Sequence, residues 1–172
     1  MACTIIEGRQ IDCRDSVGGI AELYAAEYTN ISQAAIIASS GTITTFTMNP
    51  GKKFYTFQVE KGNAQVDEKV TSSQENGTLY YEQTLTFNMK KLSAAMRNDV
   101  HILAQNRTIW IAKDNNGLFR VLGQTGGMDI GDSTLSTGKA FGDLNGATLA
   151  FVGMEKEPAS YISQALVTAA TT

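Results

Sequence analysis

The sequence is short of the side chains on which most enzyme and metal sites depend. It contains one histidine, His101, and two cysteines, Cys3 and Cys13, in 172 residues. A zinc site built from cysteine and histidine would therefore lack ligands at usable spacing. Neither Gly-x-Ser-x-Gly nor His-Glu-x-x-His occurs, and His101 has no second histidine to pair with. We therefore predict a protein that is not an enzyme and that needs no cofactor.

Charged residues and long apolar runs are also scarce. Asp, Glu, Lys and Arg make up 18% of the chain, against roughly 25% in typical soluble domains. The net charge is −3, and lysines are paired only at 52–53 and 90–91, which argues against a phosphate-binding surface. No apolar run reaches the ~18 residues of a membrane span, and no secretory signal is apparent. We expect cytoplasmic synthesis and reduced thiols, with a Cys3–Cys13 disulfide as the alternative.

The chain has instead many small polar residues, arranged in alternating strands. One domain, residues 1–172, is expected for this length, with an irregular N-terminal arm at 1–19 and a C-terminal tail at 159–172. Strands at 55–59, 64–71 and 79–89 are predicted to form an antiparallel meander. The last of these has about 11 residues where 5 or 6 are common, so its hairpin is expected to extend to a neighbouring molecule, with a long ribbon on a single molecule as the alternative.

Glycine dipeptides mark the expected turns. Gly62, Gly77, Gly117 and Gly146 each occupy such a turn, where glycine tolerates the positive φ that other residues avoid. The hairpin around Asp-Asn-Asn-Gly, ending at Gly117, is predicted to close through a type I′ turn. A Gly-rich loop then leads to a last strand at 147–154, which is apolar on both faces and is therefore expected to be covered on both.

Two segments have helical periodicity. Apolar side chains three and four residues apart predict one flanking helix at about 90–105, with Ser93 as its N-cap and Asn106 as its end. His101 is expected to be a partly exposed residue of this helix. Residues 20–29 have the same spacing and, on local pattern alone, favour a helix.

Two further interpretations concern the Gly-rich loop. Asp129 and Asp132 could hold calcium with the help of carbonyl oxygens, but the 12-residue calcium-loop pattern is absent, and aspartate also forms turns. A β-sandwich module could bind a sugar or a protein through residues 123–146.

Seven short motifs follow one another along the chain: Cys13–Gly19, Phe54–Phe57, Tyr80–Gln83, Asp114–Gly117, Thr137–Ala140, Asp143–Gly146 and Gly153–Pro158. In this order they make nearly the whole chain resemble the tail tube proteins, or major tail subunits, of tailed bacteriophages. The last two motifs are the most specific. The resemblance implies a mainly β fold, an antiparallel β-sandwich or barrel with one flanking helix and long hairpin extensions.

The resemblance also implies a structural virion protein. Six copies would close into a ring, and rings would stack into the tail tube through which DNA passes during ejection without specific binding. Tape-measure, tail terminator or sheath proteins would be further neighbours, and the protein would pass from the host cytoplasm to the virion tail, with no membrane partner. The resemblance further implies that residues 20–29 form a strand and not a helix, because each subunit contributes strands to a barrel. A tail completion or head decoration protein is the alternative within phages.

Two sets of residues are candidates for surfaces of such a tube. The contact between rings is assigned to the segment 42–55, with Thr42, Thr45, Met48, Lys52, Lys53 and Tyr55 as its candidates. A lumen lined by carboxylates would repel DNA phosphates, and the candidates are Glu22, Glu27, Asp67, Glu68 and Glu82.

Overall fold

The fold is mainly β, as the sequence predicts. A computed structural model of the protein describes residue 8 and residues 13–32, 37–39 and 41–171. Cys3 and most of the N-terminal arm lie outside these residues, while Cys13 has an exposed, free thiol. The elements are β1 (Ile20–Glu27), β2 (Ile37–Ser39), β3 (Thr42–Thr45), β4 (Tyr55–Gln58), β5 (Ala64–Ser73), β6 (Thr78–Lys90), α1 (Ala94–Gln105), β7 (Thr108–Asp114), β8 (Phe119–Leu122), β9 (Asp129–Ile130), β10 (Thr134–Ser136), β11 (Gly146–Glu155), β12 (Ser160–Ile162) and α2 (Gln164–Thr171).

The strands form two sheets that share one core. One sheet has seven strands in the order β2-β3-β12-β8-β7-β1-β4. The other has the order β10-β11-β6-β5, with the short β9 pairing with β11 on the same side as β10. Neither sheet closes on itself within the described residues. A single copy is therefore an open sandwich and not a barrel.

Trp110 is the centre of the core between the sheets. Its side chain is fully buried, and its ring centroid lies 5.3 Å from those of Phe57 and Phe87 and 4.8 Å from that of Phe151. These rings come from both sheets, and aromatic pairs at this separation stabilise a fold beyond the area that they bury. The indole N–H donates to Thr108 Oγ1 at 2.9 Å. Trp110 therefore packs the two sheets against each other.

A second core lies on the other face of the seven-stranded sheet. Side chains alternate along β7, so Trp110 belongs to the first core while Ile109 and Ile111 belong to the second. The second core also contains buried residues from the 46–54 segment and from α2. β7 and its neighbour β1 are thus covered on both faces.

This double coverage explains why residues 20–29 look helical in the sequence. They form β1, followed by a 3-10 helix at Tyr28–Asn30, so the strand prediction is confirmed. Leu23 and Ala25 lie in the first core and Ala26 in the second. A strand that is buried on both faces loses the alternation of apolar and polar residues, and its apolar positions then coincide with a helical spacing.

The predicted three-strand meander is wrong at its first connection. β5 and β6 form the expected antiparallel hairpin, and β6 is even longer than predicted, with 13 residues. However, β4 pairs with β1 in the other sheet, so the turn at Gly62 carries the chain between sheets. A turn dipeptide indicates that the chain reverses direction, but it does not indicate which sheet the next strand joins.

The hairpin of β7 and β8 has the predicted strands but a different turn. Gly117 has a φ of 81°, while Lys91 is the only described non-glycine residue with a positive φ. The Gly117 N–H donates to Asp114 O at 3.1 Å, so Asn115 and Asn116 form a type I turn that is followed by a glycine bulge. The type I′ assignment is wrong, because it requires a positive φ at Asn116.

The Gly-rich segment after β8 is less open than expected. β9 and β10 both pair with β11, and the Gly131 N–H donates to Ala150 O at 2.7 Å. β11 is buried on the face of Leu149 and Phe151 but only half-buried on the other, where Met154 is 65% exposed. The expectation that both faces of this strand are covered is wrong for a single copy.

The predicted helix is α1. It begins after Ser93, whose Oγ accepts from the Met96 N–H at 3.2 Å, and Asn106 is its C-cap residue. His101 is exposed on this helix.

The C-terminal segment is a packed part of the fold, so its prediction as a tail is wrong, and it adds a second helix to the predicted flanking one. β12 pairs with β8 and β3, and Ile162, Val167 and Ala170 are buried. Helix α2 has only eight residues, too few for a helical pattern to be recognised with small side chains.

Candidate assembly surface

The five-stranded sheet ends in two open edges on opposite sides. β5 forms one edge, since its ten residues pair with β6 throughout, without a bulge, and no described strand pairs with its outer side. β9 and β10 form the opposite edge. An edge strand presents a row of N–H and C=O groups to which a further strand can add. β5 is about twice the usual strand length, so it offers a long template.

The outward face of this sheet is polar and sparsely charged. Its side chains alternate with the core residues Val66, Leu85 and Phe87. Threonine is its commonest residue, and its charged members are three carboxylates and two lysines. The face consists of Gln65, Asp67, Lys69, Thr71, Ser73, Thr78, Tyr80, Glu82, Thr84, Thr86, Asn88, Lys90, Asp129, Thr134, Ser136, Thr148, Ala150, Val152 and Met154.

Only two of the five carboxylates proposed for the lumen lie on this face. Asp67 accepts from the Gln65 amide at 2.9 and 2.7 Å through its two oxygens. Glu82 is directly opposite Lys69 across the β5–β6 pair. One of the three carboxylates on this face therefore stands opposite a lysine.

The other three carboxylates lie elsewhere, so the proposed set does not share a surface. Glu68 is on the core side of β5, where its Oε1 accepts from Gln83 Nε2 at 3.2 Å and from the Ala159 N–H at 2.7 Å. Glu22 and Glu27 belong to β1 in the seven-stranded sheet. A surface made by the five-stranded sheet cannot include them.

Glu22 is part of a polar cluster that joins β1 to β7. Its Oε2 accepts from the Tyr24 hydroxyl at 2.6 Å and lies 3.3 Å from the Lys113 Nζ. The hydrogen bond from Tyr24, helped by the hydrogen bond and charge of Lys113, lowers the pKa of Glu22 against the opposing effect of burial. Burial, together with the Glu22 carboxylate, raises the pKa of Tyr24 to about 12. The cluster therefore favours a charged Glu22 beside a neutral Tyr24.

The segment proposed for the contact between rings is anchored in the second core. Ile43, Phe46 and Phe54 are buried, and the two phenyl centroids are 5.7 Å apart. The Phe54 N–H donates to Ala170 O at 2.9 Å. Removal of the whole segment would therefore remove core residues, so a test of its outer surface has to be confined to its exposed side chains.

The six candidates on this segment differ in exposure. Thr42, Thr45, Lys52, Lys53 and Tyr55 are exposed, whereas Met48 is half-buried and forms a β-bridge with Ile31. Both lysines also line a groove between β4 and α1.

Three of the four turn glycines have the backbone that the turns require. Gly62, Gly77 and Gly117 have φ values of 78°, 62° and 81°, a region that disfavours residues with a Cβ. Gly146 is different, because it is the first residue of β11 and not part of a turn. A Cβ there would overlap the carbonyl oxygen of Met89. Glycine is needed at 146 for a close approach of two strands.

Glu155 is a structural residue that the sequence does not reveal. It is only 5% exposed, and its Oε1 accepts from the N–H groups of Thr125 and Gly126 at 2.9 and 2.8 Å. The Gly-x-Glu-x-Glu-Pro motif thus ties the loop after β8 to the end of β11. The only sequence signal is a carboxylate at the end of an apolar strand. Carboxylates are also common in turns and at solvent-exposed positions, so this signal does not identify a buried residue.

The asparagines of the β7–β8 turn hold the chain before β1. Asn116 accepts from the Val17 N–H at 2.9 Å and donates to Val17 O at 2.7 Å. Asn115 Nδ2 donates to Gly18 O at 2.7 Å. These side chains fix the entry to β1 as well as forming the turn.

The part of the chain that the structure describes contains no group of three or more His, Cys, Asp or Glu side chains placed to hold a metal ion. Asp129, one of the two calcium candidates, lies 3.7 Å from Arg107 Nε, and Asp132 is exposed. Neither α1 nor α2 is long and apolar enough to cross a membrane.

The described surface that offers most to a partner is the five-stranded sheet, with its two open edges and its continuous polar face. Comparisons with protein-family models, with curated proteins and with solved structures found no match.

Proposed function

We propose that this protein is a structural subunit of a bacteriophage tail tube, whose copies join edge to edge through the five-stranded sheet. The observation that carries the proposal is the pair of open edges on opposite sides of that sheet. β5 of one copy pairs with the β10 edge of the next, and such a head-to-tail contact repeats from copy to copy. When the rotation between copies closes, the result is a ring without free edges.

The sheet has a suitable width for a channel. Because β9 and β10 both pair with the same side of β11, the five-stranded sheet is four strands wide. Six copies, the number that the resemblance implies, therefore give a barrel of about 24 strands. With strands about 4.8 Å apart and tilted by about 40°, such a barrel is about 48 Å across between backbones. Barrels of roughly 16 to 18 strands already leave an aqueous channel. The centre of this ring is therefore open.

The outward face of the sheet lines that channel, because the bulk of the seven-stranded sheet fits only outside the ring. This face has many hydroxyl groups and few charges, and Lys69 stands opposite Glu82. It lacks the clustered lysine and arginine side chains that hold phosphates. DNA passes such a wall without being bound, and tape-measure, terminator or sheath proteins meet the tube at its ends or outer wall.

Electron microscopy of the protein at rising concentration tests the proposal, with Lys69→Pro and Val70→Pro as variants. Neighbouring N–H groups of a strand point to opposite sides, so one proline removes a β5–β6 hydrogen bond and the other removes only an N–H on the free edge. The variant that keeps the wild-type melting temperature should stay monomeric where the wild type forms rings or hollow rods. Rings from both variants would refute edge pairing, and a wild type that is monomeric at every concentration and salt tried would refute the tube.

A tail completion or head decoration protein of the same fold would form rings without rods in this experiment. A sugar-binding module would use the loop at 123–146. The cavity beside Gln124 and Thr125 has a volume of about 20 Å³, far below the roughly 300 Å³ or more of a typical ligand pocket. The geometry there does not support sugar binding.

A further inference from the structure

Arg120 carries a positive charge that no described side chain neutralises. Its Nε is buried and has no hydrogen-bond partner, and the ion pairs among the described residues do not include it. Its Cζ lies over the Tyr161 ring, 5.5 Å from the ring centroid. A buried charged donor without an acceptor is unfavourable, so an acidic partner from another molecule would stabilise this arginine.

Arg120 lines a pocket of about 490 Å³ at the β5 edge of the molecule. Residues 64–66, the first three of β5, form one wall, and residues 16–20, at the entry to β1, form another. Ile20 and Val66 are half-buried in these walls. The pocket is larger than a phenyl ring and combines apolar side chains with an unpaired cation. It therefore suits a segment that presents an apolar ring together with a carboxylate.

The acidic side chain that lines this pocket is already engaged. Asp114 Oδ1 accepts from the N–H groups of Asn116 and Leu118 at 2.9 and 2.8 Å. Asp114 belongs to none of the ion pairs among the described residues. The charge of Arg120 is therefore left for an acidic group from outside the chain.

Phe141 and Asp143 offer this combination on the loop 137–145, between β10 and β11. Phe141 is 114% exposed, so its ring makes no appreciable contact with its own chain. Asp143 Oδ2 accepts from the N–H groups of Lys139 and Ala140, both at 2.8 Å, which leaves Oδ1 for a further donor. The two backbone donors, Ala140 first, lower the pKa of Asp143, so its carboxylate stays charged.

The pocket and the loop lie at the same end of the five-stranded sheet but at opposite edges. β10 ends at Ser136, which pairs with Gly146, and Gly146 pairs with Lys90 of β6. Ala64, at the start of β5, pairs with Phe87, three residues before Lys90 on the same strand. Pairing the β10 edge of one copy with the β5 edge of the next therefore brings the loop of the first copy to the pocket of the second.

We infer that the loop 137–145 of one copy docks in the Arg120 pocket of the next, with the Phe141 ring in the pocket and the Asp143 carboxylate on Arg120. The inference deepens the proposed tube and rests on it. A carboxylate matches the fork of donors that a guanidinium presents, and a loop that is already ordered loses little conformational freedom when it binds. A second copy of this chain is the occupant, because it carries both groups at the edge that meets the pocket.

Removal of the ring tests the contact. Phe141→Ala should keep the wild-type melting temperature at low concentration, and should raise the concentration needed for ring formation at least about tenfold. Met154→Ala is the control, because Met154 is 65% exposed on the outward face of β11, away from both edges, and this variant should assemble normally. Normal assembly of Phe141→Ala overturns the inference and leaves the tube intact. A wild type that never assembles overturns both.

A double-mutant cycle tests the pair of charges. Asp143→Asn keeps an oxygen for the loop N–H groups and removes the charge, and Arg120→Gln removes the charge of the pocket. Each variant should melt like the wild type at low concentration and should raise the concentration needed for ring formation at least about tenfold. The double variant should assemble no worse than either single variant, because the two changes remove the same contact. Effects that simply add overturn the pairing.

Cross-linking identifies the occupant. A chain with Cys3→Ser, Cys13→Ser, Val17→Cys and Gly142→Cys should give a ladder of disulfide-linked copies when it is assembled and oxidised with diamide. Chains with only one of the two new cysteines should give nothing beyond a dimer. The two sites of one copy lie at opposite edges of a sheet four strands wide, about 14 Å, which is beyond the reach of a disulfide.

Assembled rings without these cross-links overturn the inference. Sedimentation of the wild type with phosphatidylglycerol vesicles, lost in Phe141→Ala, would assign the ring to a lipid surface and overturns it as well.

Discussion

At position 146, β11 and β6 approach each other so closely that only glycine fits. A Cβ on Gly146 would overlap the Met89 carbonyl oxygen and lie 3.0 Å from the Lys90 Cα. Gly146→Ala is expected to lower the free energy of unfolding by about 3 kcal/mol, since overpacked backbone has to shift. Gly142→Ala is the matched control, because no atom lies within 4 Å of a Cβ at that position. Equal melting temperatures for the two variants would contradict this expectation.

The buried carboxylate of Glu155 should be as sensitive as a core residue. It accepts two backbone N–H bonds, and hydrogen bonds to charged groups contribute about 1.5 to 3 kcal/mol each. Glu155→Gln keeps the size of the side chain but removes the charge, so we expect urea denaturation to show a loss of about 2 kcal/mol. Glu157→Gln, two residues further on and exposed, should change little. If both variants behave alike, the carboxylate does not hold the loop.

At the scale of elements, the cluster between β1 and β7 should make stability depend on pH. The pKa of Glu22 is lowered from 4.5, so its contribution is present above that value and is lost as the pH falls through the folded-state pKa. The pKa of Tyr24 is raised from 10.0 to about 12, so its contribution is complete below pH 10 and is lost by about pH 12.

Tyr24→Phe removes the Tyr24 hydroxyl and the largest cause of the Glu22 shift. The difference in melting temperature between this variant and the wild type should therefore be greatest between about pH 5 and pH 10, and should shrink on both sides. Tyr55→Phe, at a tyrosine that is 63% exposed, should follow the wild-type profile. A difference that stays constant from acid to alkaline pH would show that Tyr24 acts only through packing.

The role of α2 as a cover of the second core can be tested by one charge. Val167→Asp places a carboxylate where the side chain is 3% exposed, and burial of an unpaired polar or charged group should cost about 3 kcal/mol or more. Ala165→Asp adds the same charge to an exposed position of the same helix and should be tolerated. A frayed tail would tolerate both in a thermal melt.

The sequence predicts elements well where one face is polar, and poorly where tertiary packing decides. β6, α1 and the two strands of the β7–β8 hairpin follow directly from their periodicity, whereas the type of turn between β7 and β8 does not. β1 does not, because Leu23 and Ala26 lie in different cores. The partners of β4 and β5 depend on which sheet the chain enters after Gly62, and no local signal records that.

The candidate surface was predictable in part for the same reason. Alternation along β5 and β6 separates Asp67 and Glu82 from Glu68 once the core face is known. Assigning Glu22 to another sheet requires the topology.

At the scale of the whole molecule, the two sheets differ in how many of their faces are covered by a core. The seven-stranded sheet has a core on each face, and α2 completes the second one. Within the described residues, the five-stranded sheet has a core on one face only, and its long edge strand β5 is paired on one side. The five-stranded sheet therefore leaves one face and its long edge to solvent, which is what the proposed repeating assembly requires.

If copies complete one another's sheets, stability must depend on concentration. Association of folded copies stabilises the folded state by mass action, by up to about 1.4 kcal/mol for each tenfold rise in concentration. For a chain of this size about 1 kcal/mol shifts the melting temperature by about 2 to 4 °C, so the wild-type value should rise measurably over a roughly thousandfold range. The edge-proline variant that keeps the wild-type melting temperature at low concentration should melt at one temperature throughout. If the wild type also melts at one temperature over this concentration range, the edges of its sheet bind no second copy.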